Sequence, residues 1–92
     1  MAVDDPLNTE RTNGILVQIL FRDIDLAFTF LQAARISPSS EIKQQAEEHA
    51  LKTYQSILQV SGETKISEEI RVILNNRLEH LRSRLRSIGF DA

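Results

Sequence analysis

The chain reads as an all-α protein, an up-down-up antiparallel three-helix bundle. Three observations predict it. Apolar residues recur at helical spacing in three long segments, and two short breaks rich in Ser, Pro, Gly and Thr separate those segments. No segment alternates apolar and polar residues between turn signals, as a half-buried strand would. Short connections make consecutive helices antiparallel neighbours. A chain of 92 residues supports one small domain with a single core.

Residues 1–11 are polar with one proline and are expected to form a flexible or irregular N-terminal arm; the bundle occupies 12–92. The first helix is expected from about 12 to 36. Ser37-Pro38-Ser39-Ser40 breaks it, with Ser37 as cap and Pro38 in the first helical position of a second helix over 38–61. Gly62 is suited to a left-handed C-terminal cap there. Ser67, followed by Glu68 and Glu69, starts a third helix over 67–88, which Gly89 ends. In the second helix Ile42, Ala46, Ala50, Thr53, Ile57 and Val60 make the inner stripe, widened by Tyr54 and Leu58. In the third the stripe is Ile70, Ile73, Leu74, Leu78, Leu81, Leu85 and Ile88.

The first helix departs from this pattern. Gln18, Arg22, Asp25, Thr29 and Gln32 form a narrow polar strip, and nearly everything else is apolar. Two neighbouring helices do not cover so wide an arc. Either the flank of Val17, Phe21 and Phe28 or the flank of Ile15, Ile19, Leu26 and Phe30 faces the core, leaving the other over. The expected interaction surface therefore draws on Val17, Phe21, Leu26, Phe28 and Phe30. The bland alternative is an arm that folds back and covers the surplus with Val3 and Leu7.

Two charges fall on apolar faces. Asp23 projects between Leu16, Leu20 and Ala27 on one side and Ile19 and Phe30 on the other, where an unpaired carboxylate is costly. Arg77 projects between Ile70, Ile73 and Leu81. A structural ion pair between Asp23 and Arg77, keying the first helix to the third, is expected. Arg22 and Asp25, on the polar strip, are expected to form an exposed pair.

The residues that carry chemistry are few. There is no cysteine, which excludes disulfides, thiolate metal sites and a cysteine nucleophile. The two histidines, His49 and His80, follow Ala46 and Arg77 at three residues' distance, where the carboxylate-helix metal pattern needs glutamate. No phosphate-binding glycine loop, His-Glu-x-x-His or Gly-x-Ser-x-Gly occurs. No catalytic, metal-binding or cofactor-binding residues are predicted, and no cofactor; the chain is expected not to be an enzyme. The arginines Arg71, Arg77, Arg82, Arg84 and Arg86 are nearly balanced by Glu68, Glu69, Glu79 and Asp91. With a net charge of −2 they read as dipole compensation and a solvated face, not as a nucleic-acid surface. The opening residues are acidic where a signal peptide is basic, and no apolar run approaches a membrane span; a soluble, cytoplasmic protein is expected.

Two resemblances bear on function. His49-Ala50-Leu51-Lys52 resembles the His-x-Leu-Lys start of histidine phosphotransfer domains. That resemblance implies His49 as phosphoacceptor and Lys52 as its neutralising partner, although Thr53 and Tyr54 stand where the family has glycine and a small residue. Ala50, Tyr54, Ile57 and Leu58 look like the second-helix signature of tetratricopeptide-type repeats, and the whole pattern is similar to small bundles of the microtubule-interacting and trafficking type. Those families imply binding of partner helices. The preferred expectation is a non-enzymatic helical interaction module, with the surplus face of the first helix serving a homodimer or a partner's amphipathic helix. The alternative is phosphotransfer through His49.

Overall fold

The computed structural model describes the backbone of residues 6–92 and the side chains from Gly14 onward. Three helices follow in order: α1 (Pro6–Ile36), α2 (Ser40–Glu63) and α3 (Glu68–Ser87). They form an all-α three-helix bundle, elongated to 55 × 25 × 18 Å because α1 alone has 31 residues. Among the described residues no strand occurs, and no helix is long and apolar enough to cross a membrane.

The expected arm is helical from Pro6, six residues before the predicted start. A proline in the opening turn has no N–H to leave unpaired, and its φ is already helical. Nothing from Leu7 to Asn13 breaks the helix, so Leu7 continues α1 and does not fold back over it. Val3 lies outside the described residues.

The second helix begins at Ser40, later than expected, because Ser39 is the better-placed cap: its hydroxyl accepts from the Ile42 N–H at 3.4 Å. Ser37 instead stiffens the turn, accepting from the Ser39 N–H at 3.3 Å. Gly62 does not cap α2. It lies inside the helix, and the chain leaves through Thr64 in an extended conformation. The helix end is satisfied by side chains: Thr64 donates to the Val60 carbonyl at 2.7 Å, and Arg71 of α3 donates to the carbonyls of Ser61 and Thr64 at 3.2 Å each. α2 has no basic residue in its own last turn, so a guanidinium from α3 meets the negative end of its dipole.

α3 starts as predicted, with Ser67 accepting from the Ile70 N–H. It ends in a Schellman motif: the Phe90 N–H reaches the Leu85 carbonyl at 3.1 Å and the Gly89 N–H reaches Arg86 at 3.0 Å. The motif requires a left-handed residue, and Gly89 takes φ +107°. Phe90 and Ala92 then return to the core edge, where Arg82 and Arg86 each donate a guanidinium N–H to the Ala92 carbonyl.

The core comprises Leu20, Ile24, Ala27 and Leu31 of α1, Ala50, Tyr54 and Ile57 of α2, and Leu74, Leu78, Leu81 and Leu85 of α3. α1 packs more extensively on α2 than on α3. Buried alanines on both helices, Ala27, Ala34 and Ala50, let two backbones approach closely. The inner stripe of α2 is rotated from the expected one: Ser61 joins Tyr54 inside, while Ile42, Leu58 and Val60 are exposed. In α3 only the leucines of the expected stripe are buried; Ile70, Ile73 and Ile88 are exposed. Among the described residues no buried side-chain nitrogen or oxygen lacks a partner.

Candidate interaction surfaces

The helix contacts decide which flank of α1 is left over. On one side Arg77 of α3 lies over the Phe21 ring, 5.5 Å from its centroid. On the other, Phe30 stacks on His49 of α2 with ring centroids 5.4 Å apart. Phe21, Phe28 and Phe30 are half-buried against the core and are not free surface. Val17 is half-buried too, at an open cavity of about 510 Å³ that it shares with Ile66 and Ile70. Of the five residues expected at the interaction surface, Leu26 alone is exposed.

This arrangement also corrects the ion pair. Arg77 pairs with Asp25, Nη1 to Oδ1 at 3.4 Å, and not with Asp23. α3 lies along the Phe21 flank of α1, and Asp25, one turn from Phe21, is the carboxylate on that side. Asp23 lies two turns from Phe30, on the α2 side, and is half-buried there. The arginine and the helices it joins agree with the sequence reading; the carboxylate does not. Asp25 is consequently engaged with Arg77 instead of Arg22, which has no ion-pair partner among the described residues. Both members of the Arg77–Asp25 pair are mostly exposed, so the pair adds a few tenths of a kcal/mol, roughly the value of a surface pair.

The exposed apolar residues of α1 form a seam. Ile15, Ile19, Leu26 and Ile36 are 58%, 43%, 43% and 74% exposed. Together with exposed Arg22, Thr29 and Ala33 they follow a four-three spacing along the helix, at 15, 19, 22, 26, 29, 33 and 36. Such spacing keeps a stripe facing a second helix over several turns. Ile15, Ile19 and Leu26 belong to one of the two flanks expected from the sequence; Phe30, expected with them, is half-buried, and the row continues instead through Arg22 and Thr29 of the polar strip to Ile36.

No family model, curated protein or solved structure matches the chain.

His49 and Lys52 are both exposed and line a shallow depression of about 50 Å³ with Gln45 and Glu48. The phosphotransfer resemblance thus brings together the two residues it names, but with an acid beside them and an aromatic ring against the histidine. Among the described residues no group of three His, Asp or Glu side chains is placed to hold a metal ion.

Proposed function

We propose that this chain is a non-enzymatic helical interaction module that self-associates through the outer seam of α1. The observation that carries the reading is the exposed four-three row from Ile15 to Ile36. A helix whose apolar residues repeat in this way buries them by lying against another helix. Arg22 favours an antiparallel pairing of two copies. In a parallel, in-register pair the two Arg22 side chains meet at the seam. An antiparallel pair can set Ile19 opposite Ile36 and Leu26 opposite Thr29, separating the two Arg22 by about 16 Å along the axis at 1.5 Å per residue.

The expected affinity is modest. Fully burying a Leu or Ile side chain contributes about 1.5–3 kcal/mol, so each half-exposed seam residue has about 1 kcal/mol left to gain. In this register Ile19, Leu26 and Ile36 of each copy are covered, and these six residues supply about 6 kcal/mol before association costs, which sets a limit of about 40 μM and an expected range above it.

Sedimentation equilibrium from about 1 μM to 1 mM tests the reading across that limit. A monomer–dimer equilibrium is expected. Leu26→Glu removes about 1 kcal/mol from each copy and weakens the dimer at least about 30-fold, while the thermal midpoint of the monomer stays in place. A monomer throughout that range would sink self-association and leave a partner's amphipathic helix as the occupant of the seam. A phosphoacceptor role for His49 is the second reading, favoured by its exposure beside Lys52. Incubation with acetyl phosphate should leave His49 unmodified, and an acid-labile phosphoryl group on it would establish that role instead.

A further inference from the structure

We propose that the cavity at the α1–α2 turn is a docking site for an acidic–aliphatic segment of a partner protein. The starting point is Arg84. Of the arginines in α3, Arg71, Arg77, Arg82 and Arg86 each donate to a protein acceptor; Arg84 has none among the described residues. It lines a cavity of about 310 Å³ together with Arg35 of α1 and Lys43 of α2, so that each helix contributes one cation. Neither Arg35 nor Lys43 has an ion-pair or hydrogen-bond partner among the described residues. Leu31, buried in the core, forms an apolar floor and Ile88 an apolar wall; Glu47 is the one acid.

Dipole compensation accounts for part of this. Arg35 and Arg84 lie in the last turns of their helices, where cations are favourable. Lys43 does not fit that account, because it sits near the start of α2, at the positive end of the dipole. Three cations against one acid, on a chain of net charge −2, leave an unneutralised positive site over an apolar base. The matching ligand carries an anion beside an aliphatic group. The planar guanidinium fork of arginine fits a carboxylate with two parallel hydrogen bonds. The cavity lies at the small end of the range for ligand pockets and its cationic rim is exposed, so it suits one or two side chains of a docked segment better than an enclosed metabolite. Leu31 and Arg35 lie on the side of α1 away from the seam, so this site does not depend on self-association.

The test is a chemical-shift titration of the ¹⁵N-labelled protein with the peptide acetyl-Leu-Glu-Leu-Glu-amide up to about 5 mM, the regime of a few-residue contact. Saturable shifts at Leu31, Arg35 and Arg84 are expected, with the Gln-for-Glu peptide silent. Arg84→Ala should weaken binding about tenfold, the size of one charge-assisted contact, and Arg84→Glu should abolish it. The Arg84 side chain holds no other protein group among the described residues, so both variants should keep the wild-type spectrum elsewhere. Absence of shifts, shifts insensitive to Arg84→Glu, or equal shifts from the Gln peptide would each overturn the proposal. Sodium phosphate giving the same shifts at the same concentration would reduce the cavity to a simple anion site and overturn it as well.

Discussion

Replacing Arg71 by Met should cost about 2 kcal/mol of stability, far more than a substitution at an ordinary surface arginine. The Arg71 guanidinium closes the C-terminal end of α2 with two hydrogen bonds at 3.2 Å, to the Ser61 and Thr64 carbonyls. Bonds from a charged donor contribute about 1.5–3 kcal/mol each, and partial exposure and length place these lower, near 1 kcal/mol apiece. Meeting the α2 dipole adds a few tenths of a kcal/mol, roughly the value for a cation at an exposed helix end. Methionine keeps the packing of the aliphatic stem, so the loss reports on the guanidinium. For a domain of this size about 4–8 °C accompany each kcal/mol, giving an expected drop in thermal midpoint of roughly 8–16 °C by far-UV circular dichroism. Arg71→Lys keeps the charge but not the fork and should recover about half of the loss. A drop below about 3 °C for the methionine variant would refute the capping role.

Three further outcomes are expected. Gly62→Ala should stabilise the protein by about 0.5–1 kcal/mol and Gly89→Ala should destabilise it by about 1 kcal/mol. Both positions have open space for a Cβ, so the opposite signs isolate backbone conformation, helical at Gly62 and left-handed at Gly89; urea midpoints check them. A double-mutant cycle between Asp25 and Arg77 should give a coupling of a few tenths to about 0.5 kcal/mol, and one between Asp23 and Arg77 should give none. Ala50→Leu should cost about 1–3 kcal/mol by forcing extra volume between α1 and α2, whereas Ala33→Leu, on the exposed seam, should leave monomer stability unchanged within about 0.5 kcal/mol.

The helical segments were legible because their periodicity and their serine caps are local. Ser67 and Gly89 mark the ends of α3 through contacts made within a turn of themselves. Gly62 misled for the same reason. A glycine after an apolar stripe is a valid local stop, yet Arg71, nine residues on, holds that helix end with side-chain bonds and leaves the glycine helical. Periodicity marked Asp23 as a charge on an apolar face and the partner of Arg77, but α2 lies beside it and α3 beside Asp25. The same choice of sides exposed Leu26 and covered Phe21, Phe28 and Phe30.

Apolar periodicity was enough to show that three amphipathic helices pack antiparallel around an aliphatic core. It also determined that the first helix would carry more apolar surface than two neighbours can cover. Those are properties of spacing along one helix, and spacing is written in the chain. Which flank each neighbour covers, which carboxylate Arg77 meets, and where Arg35, Lys43 and Arg84 converge were decided only by the tertiary structure. Each depends on how one helix is rotated about its axis against another. A helix presents several nearly equivalent faces to that choice, and packing across the whole bundle selects among them.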